Sequence, residues 1–259
     1  MLLHVSHAAQ HGHQKVLIRT VYTDVVVLAV FAISQLPSRC ELWLAFGTGK
    51  SFRYLAAHQM SKCLGPEMSR ALPMFHALTG CDTVSSFAGH GKKTAWSTWK
   101  SQPALTNALL MLGNGPKVIP DDAMNIIERF VVLLFDRTST CDKVNDARRK
   151  LFPRKNSVEQ IPPTRAALME HVKRAVYQGG HIWGKTLLPD PVLPSPTDWG
   201  WVKREGLYEP HWTTLPQASK ICHELISCGC KSGCTKRCKC KKAALQCTGL
   251  CVCEGECES

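Results

Sequence analysis

Hydrophobic and polar positions change period several times along the first two-thirds of the chain, and each change predicts an element. KVLIRTV, Lys15 to Val21, is β-branched and apolar, the pattern of a buried strand. The following VVVLAVF run also has strand propensity, although a cap at Asp24 permits a helix there. In CELWLAFGTGKSFRYLAAHQM, alternation breaks at Gly47–Gly49, which predicts two short strands joined as a hairpin. The period then lengthens. GPEMSRALPMFHALTG is helical in pattern, with Pro73 expected to kink it and Gly80 to stop it. Further helices are expected at Leu105–Leu112, Asp122–Phe135 and Thr164–Tyr177. The last has Pro162–Pro163 leading in, Leu168, Val172 and Val176 on one face, and Gly179–Gly180 behind it.

After this the texture changes. Prolines at 189, 191, 194, 196, 210 and 216 argue against any regular element between 184 and 220. Trp199, Trp201, Tyr208 and Trp212 predict that this linker packs down rather than floats. There is no internal repeat of solenoid period. The expected organisation is an α/β core over 1–140, a helical extension over 141–183, the linker over 184–220 and a cysteine module over 221–257.

Composition sharpens this picture in two ways. The 259 residues carry a net charge of +12, which points to a polyanionic partner, nucleic acid above all, or else to a soluble protein that is simply basic. Cysteine usage is lopsided: Cys40, Cys63, Cys81 and Cys141 are scattered, Cys222 stands alone, and nine more crowd the end. Lone cysteines beside a dense cluster do not read as a secreted disulfide framework. MLLHVSHAAQHGHQ has histidines where a signal peptide needs an apolar stretch, and the run from Val25 to Leu36 is too short to span a bilayer. A reducing compartment and no membrane partner are therefore expected.

The module reads Cys228-x-Cys230-x3-Cys234-x3-Cys238-x-Cys240-x6-Cys247-x3-Cys251-x-Cys253-x3-Cys257. Cysteines separated by a single residue feed two neighbouring metals more readily than they bond each other. Zinc takes four thiolates in a tetrahedron. Nine thiolates serve three such ions only when three of them bridge: six terminal ligands plus three counted twice make the twelve contacts required. This spacing resembles the tesmin-type CXC domain, C-x-C-x4-C-x3-Y-C-x-C-x6-C-x3-C-x-C-x2-C. The resemblance implies a three-zinc, nine-cysteine cluster that binds DNA in the nucleus. The gaps after Cys230, Cys234 and Cys253 each differ by one residue, and Arg237 stands at the tyrosine position. Between Glu224 and Glu254 there is no acid, while Lys231, Lys236, Arg237, Lys239, Lys241 and Lys242 are basic and suit phosphate contact. Arg237 in place of an aromatic favours affinity over sequence readout. These cations also balance the negative charge of a zinc–thiolate cluster, and the tail alternatively reads as a protein-interaction or metal-buffering module. Cys222 and His223 fall outside the closed count.

A second resemblance covers residues 1–135. In ALTGCDTVSSFAGHGKKTAWSTW, Gly80, Asp82, Gly89, Gly91, Lys92 and Lys93 follow the order found in flap-endonuclease and PIN-like nucleases. There a helix ends in a Gly-x-Asp turn, and a glycine-rich hairpin and a lysine-started helix follow. The family implies a three-layer α/β core. Asp24 matches the second acid of its D-x-D turn, but Tyr22 occupies the first, and a phenol is a poor ligand for a hard cation. Asp24 and Asp82 would hold Mg or Mn, while Gly89, Gly91, Lys92 and Lys93 would grip a phosphate backbone. Residues 1–100 hold four acids in all, few for two-metal hydrolysis. Three readings stay open: a scaffold without catalysis, a piece of a longer nuclease, or an active metal-dependent nuclease. Asp24 and Asp82 also read as plain helix or turn caps. A core of this kind beside a CXC tail resembles transposon-derived proteins of invertebrate genomes.

Three weaker signals carry less. FGTGKS lacks the first glycine of a phosphate-binding loop, with Leu44 in its place, so the hairpin reading wins. His4, His7 and His11 share a helix face, with His13 nearby, but have no acid or cysteine in reach. DARRKLFPRK, Asp146 to Lys155, suits either phosphate contact or a solvated helix end.

Overall fold

The computed structural model describes residues 1–155, 158–213, 228–230, 234, 238–242, 247 and 251–253. The chain divides into two compact units. One comprises Met1–Phe87, Gly91–Ile127 and Met169–His211; the other comprises Ala88–His90, Glu128–Leu168 and Trp212–Ser259.

The first unit is built on a three-stranded sheet. Strands β1 (Lys15–Thr20) and β2 (Glu41–Phe46) pair in parallel, and β3 (Arg53–Ala56) pairs antiparallel to β2, in the order β1-β2-β3. The β2–β3 hairpin turns where expected. Gly47 has φ +87°, and a side chain there would lie 2.7 Å from the Ser51 carbonyl oxygen, so only glycine fits. The segment between β1 and β2 is helix α2 (Thr23–Ala32), preceded in the chain by α1 (Leu2–Gln10). Strand propensity in VVVLAVF is overridden because parallel neighbours need a crossover connection, and a helix supplies it. Val16, Ile18, Leu42 and Leu44 pack with Leu2 and Val5 of α1 and with Ala29 and Val30 of α2 in one core.

Helices α3 (Ala57–Leu64), α4 (Pro66–Leu78), α5 (Lys92–Ser101) and α6 (Ala104–Gly113) follow, with the first half of α7 (Asp121–Phe135). α4 runs unbroken through Pro73. It stops as expected: Thr79 Oγ1 donates to the Phe75 carbonyl at 2.8 Å, and Gly80 follows at φ +109°. A Cβ on Gly80 would lie 2.8 Å from that of Ser86.

Gly179 and Gly180 do not end a helix in the expected way. After α8 (Val144–Leu151) and α9 (Arg165–Val176) the chain continues into a π turn, Tyr177–Ile182, and a 3-10 turn, Trp183–Lys185. A Cβ on Gly180 would stand 2.5 Å from the Leu112 carbonyl oxygen, and one on Gly184 would stand 2.8 Å from that of Gly113. The glycines are there to let two backbones touch.

The proline-rich stretch is not devoid of regular structure either. β4 (Trp201–Arg204) and β5 (Leu207–Pro210) form an antiparallel hairpin. Its two-residue turn has φ +49° at Glu205 and +86° at Gly206, the signs a type I′ turn requires. Pro210 is tolerated because it ends the ladder, opposite Trp201. Trp199 does pack down, 4.4 Å from the His181 ring, while Trp212 is 74% exposed. Arg174 donates to the Gly200 carbonyl at 3.1 Å and so ties this hairpin to α9.

In the second unit the buried carboxylate of Glu128 collects Lys143 Nζ and Arg165 Nε, each at 3.2 Å, and the Val144 backbone N–H at 3.3 Å. The DARRKLFPRK run closes α8, with Val144, Ala147 and Leu151 buried. Arg149, Lys150, Arg154 and Lys155 are exposed, as a solvated helix end would be. No helix among the described residues is long and apolar enough to cross a membrane.

Candidate metal centre

Eight of the nine tail cysteines are described, and all eight carry free thiols that converge on one another. Their sulfurs form three overlapping groups of four: Cys228, Cys240, Cys247 and Cys251; Cys228, Cys234, Cys247 and Cys253; and Cys228, Cys230, Cys234 and Cys238. Within each group all sulfurs lie within 4.8 Å of one another. Zn–S bonds of about 2.3 Å in a tetrahedron place sulfurs about 3.8 Å apart. Observed separations are 3.4 Å for Cys234–Cys247, 3.5 Å for Cys240–Cys251, 3.6 Å for Cys228–Cys253 and 3.8 Å for both Cys228–Cys234 and Cys228–Cys247. The donor set and its dimensions fit a thiophilic metal ion. The cysteine cluster can hold metal.

Local backbone brings these sulfurs together. Val252 N–H donates to the Cys228 carbonyl at 3.0 Å, and Cys228 N–H donates to Cys251 Sγ at 3.4 Å, which joins the two ends of the module. Lys239–Lys242 forms one helical turn, closed by Lys242 N–H on the Cys238 carbonyl at 3.0 Å. Cys238 precedes this turn. The Lys241 N–H points at its sulfur and, with smaller contributions from Cys234, Cys228 and the Cys240 N–H, draws the thiol down to about 6. Burial works the other way on Cys240 and pushes that thiol up to about 12. So many crowded sulfurs resist ionising together unless a cation offsets their charge, and metal binding is therefore coupled to proton release.

Lys239, Lys241 and Lys242 are exposed around buried Cys240 on that turn. Lys231, Lys236, Arg237, Cys257, Cys222 and His223 lie outside the described residues.

Of the residues in the nuclease-like motif, Asp24 and Lys92 are hydrogen-bonded within the protein. Asp24 lies in the first turn of α2 and makes no cap; its Oδ1 accepts a hydrogen bond from His76 Nε2 at 2.7 Å. His76 is buried on α4, and that burial, more than any other influence, lowers its pKa. Lys92 opens α5, but its ammonium donates to the Gly80 carbonyl at 2.5 Å, the His76 carbonyl at 3.0 Å and Thr79 Oγ1 at 3.1 Å. It satisfies the carboxyl end of α4, where a cation is favoured. Lys93 is exposed, as are Gly89, at φ +73°, and Gly91, which precedes α5. Asp82 is exposed on the tight turn between Cys81 and Val84. Among the described residues, the groups of three or more ligand atoms close enough to hold a metal ion are built from tail cysteines, and neither Asp24 nor Asp82 belongs to one. His76 and Thr79 were missed by sequence reasoning; their partners lie 52 and 13 residues away, and no local pattern marks such pairs.

No family model matches the chain, and neither curated proteins nor solved structures give a match.

Proposed function

We propose that the cysteine tail is a three-zinc, nine-cysteine module of the kind its spacing resembles, and that it attaches this protein to DNA in the nucleus. The observation that carries the proposal is the overlap of the three sulfur groups. The first and second groups share Cys247, and the second and third share Cys234. Cys228 belongs to all three, yet a thiolate commonly bridges two ions. Assigning Cys228 to the first and third gives each pair of ions one bridge. The second group then keeps Cys234, Cys247 and Cys253 and needs a fourth ligand, and Cys257 is the cysteine left over. Three bridges and six terminal ligands account for all nine residues and all twelve bonds.

DNA contact rests on charge. Lys239, Lys241 and Lys242 stand exposed on the metal-bearing turn, and the sequence adds Lys231, Lys236 and Arg237 to an acid-free loop. Such contacts bind backbone phosphate and release counterions, so they give affinity without base readout. The core is read as a PIN-like scaffold without hydrolytic function: the β1–α2–β2 crossover suits that family, while His76 holds Asp24 and α4 holds Lys92. The test is duplex DNA binding by fluorescence anisotropy over a salt series. Replacing Lys239, Lys241 and Lys242 by alanine should reduce the salt slope by up to about three, with zinc content unchanged. An unaltered slope would remove the DNA assignment and leave a metal-binding module.

A further inference from the structure

The β1–β2–β3 sheet buries only one of its faces. Alternate positions Val16, Ile18, Leu42, Leu44 and Leu55 enter the core, and helices α1 and α2 cover that side. The intervening positions, Lys15, Leu17 and Arg19 on β1, Trp43 on β2 and Tyr54 on β3, face the other way. Trp43 is half-buried, but much of this face is open: Leu17 is 58% exposed and Tyr54 60%, with Phe52 40% exposed just before β3. Lys15, Val16, Leu17, Trp43 and Tyr54 line a shallow apolar depression of about 390 Å³.

We propose that this face binds single-stranded nucleic acid by stacking. Its aromatic rings are held in place. Phe52 and Tyr54 meet edge to face at 5.2 Å, and Trp43 meets His58 at 5.3 Å. Trp43 Nε1 donates to Glu41 Oε2 at 3.2 Å. Arg19 lies 4.9 Å from the Phe52 ring centroid while donating to the carbonyls of Ala45 and Gly47, so its charge is fixed over the aromatic row. The charge complements a polyanion. Arg19 flanks the rings, and the one acid on this face, Glu41, is offset by Lys15 at 3.7 Å, which leaves the face net positive. Exposed rings beside a fixed cation suit unpaired bases, each of which offers a π face; paired bases in a duplex do not.

The test measures anisotropy of a labelled twelve-nucleotide oligodeoxythymidine with the full, zinc-loaded chain. Tyr54→Ala and Phe52→Ala should each weaken binding about tenfold. Tyr54→Phe, which keeps the ring, should stay close to wild type. Duplex affinity, which the tail carries, should not change in either alanine variant. Failure of the tail assignment would instead show as duplex binding unaffected by the lysine substitutions on Lys239, Lys241 and Lys242. Equal oligonucleotide affinity for Tyr54→Ala and wild type would overturn the proposal. So would a wild-type dimer that Tyr54→Ala converts to monomer in sedimentation, because the face would then be an interface between two copies.

Discussion

His171 should make the first unit acid-sensitive in a range where few other side chains titrate. The imidazole is buried, at 7% exposure, on α9. Its Nε2 donates to the Leu78 carbonyl at 2.8 Å, its Nδ1 stands 3.4 Å from Ser85 Oγ, and Phe87 lies against the ring at 4.9 Å. It thus holds the end of α4 and the loop that carries Asp82. Burial moves its pKa from 6.5 to about 4, helped by Arg174 and opposed by the Leu78 hydrogen bond. The unfolded chain therefore binds the proton more readily, so the stabilisation is complete above the unfolded pKa and is lost as pH falls from 6.5 towards 4. With those two values, one site costs about 2 kcal/mol by pH 5 and about 3 kcal/mol by pH 4. The assay is urea unfolding followed by circular dichroism at a series of pH values, for wild type and His171→Gln. At pH 7 the variant should be the less stable, having lost packing and an optimised hydrogen bond. The gap should shrink by about 2 kcal/mol by pH 5, because glutamine has no proton to gain. Parallel profiles would refute the reasoning, since they would mean that His171 titrates normally in the folded state.

Two further outcomes follow from close contacts elsewhere. Gly180→Ala places a methyl 2.5 Å from the Leu112 carbonyl and must push the π turn off α6. Thermal denaturation should show a loss of about 2 kcal/mol, and a neutral substitution would contradict the packing. In the tail, Cys228→Ser removes a sulfur shared among groups, whereas Cys251→Ser removes one belonging to a single group. Zinc content by elemental analysis should fall further in the first variant, and equal losses would rule out the bridging role of Cys228.

Local chemistry made part of this molecule legible. The strand KVLIRTV, the Gly47 hairpin and the end of α4 at Gly80 follow from β-branched runs and glycine positions, which act over a few residues, although the strand is not buried as expected: only Ile18 and Thr20 are. Convergence of the tail cysteines was also readable, because nine cysteines recur within thirty residues and the sulfurs of the eight described ones do come together. What escaped depends on partners distant in sequence. VVVLAVF is a helix because β1 and β2 run parallel, a property of topology that its own residues do not encode. Gly179 and Gly180 look like a stop but serve a contact with α4 and α6. Lys92 follows a glycine-rich loop, as a phosphate-gripping lysine would, yet it binds the end of a helix thirteen residues back. Proline density conceals the β4–β5 hairpin, whose Glu205–Gly206 turn is its local cue.

Zinc stoichiometry tests the central claim most directly. Native mass spectrometry of the full chain, with elemental analysis on the same sample, should find three zinc ions per chain. It should also show the nine tail thiols protected from alkylation until a chelator is added. One or two tightly bound ions per chain would contradict the bridged nine-cysteine cluster.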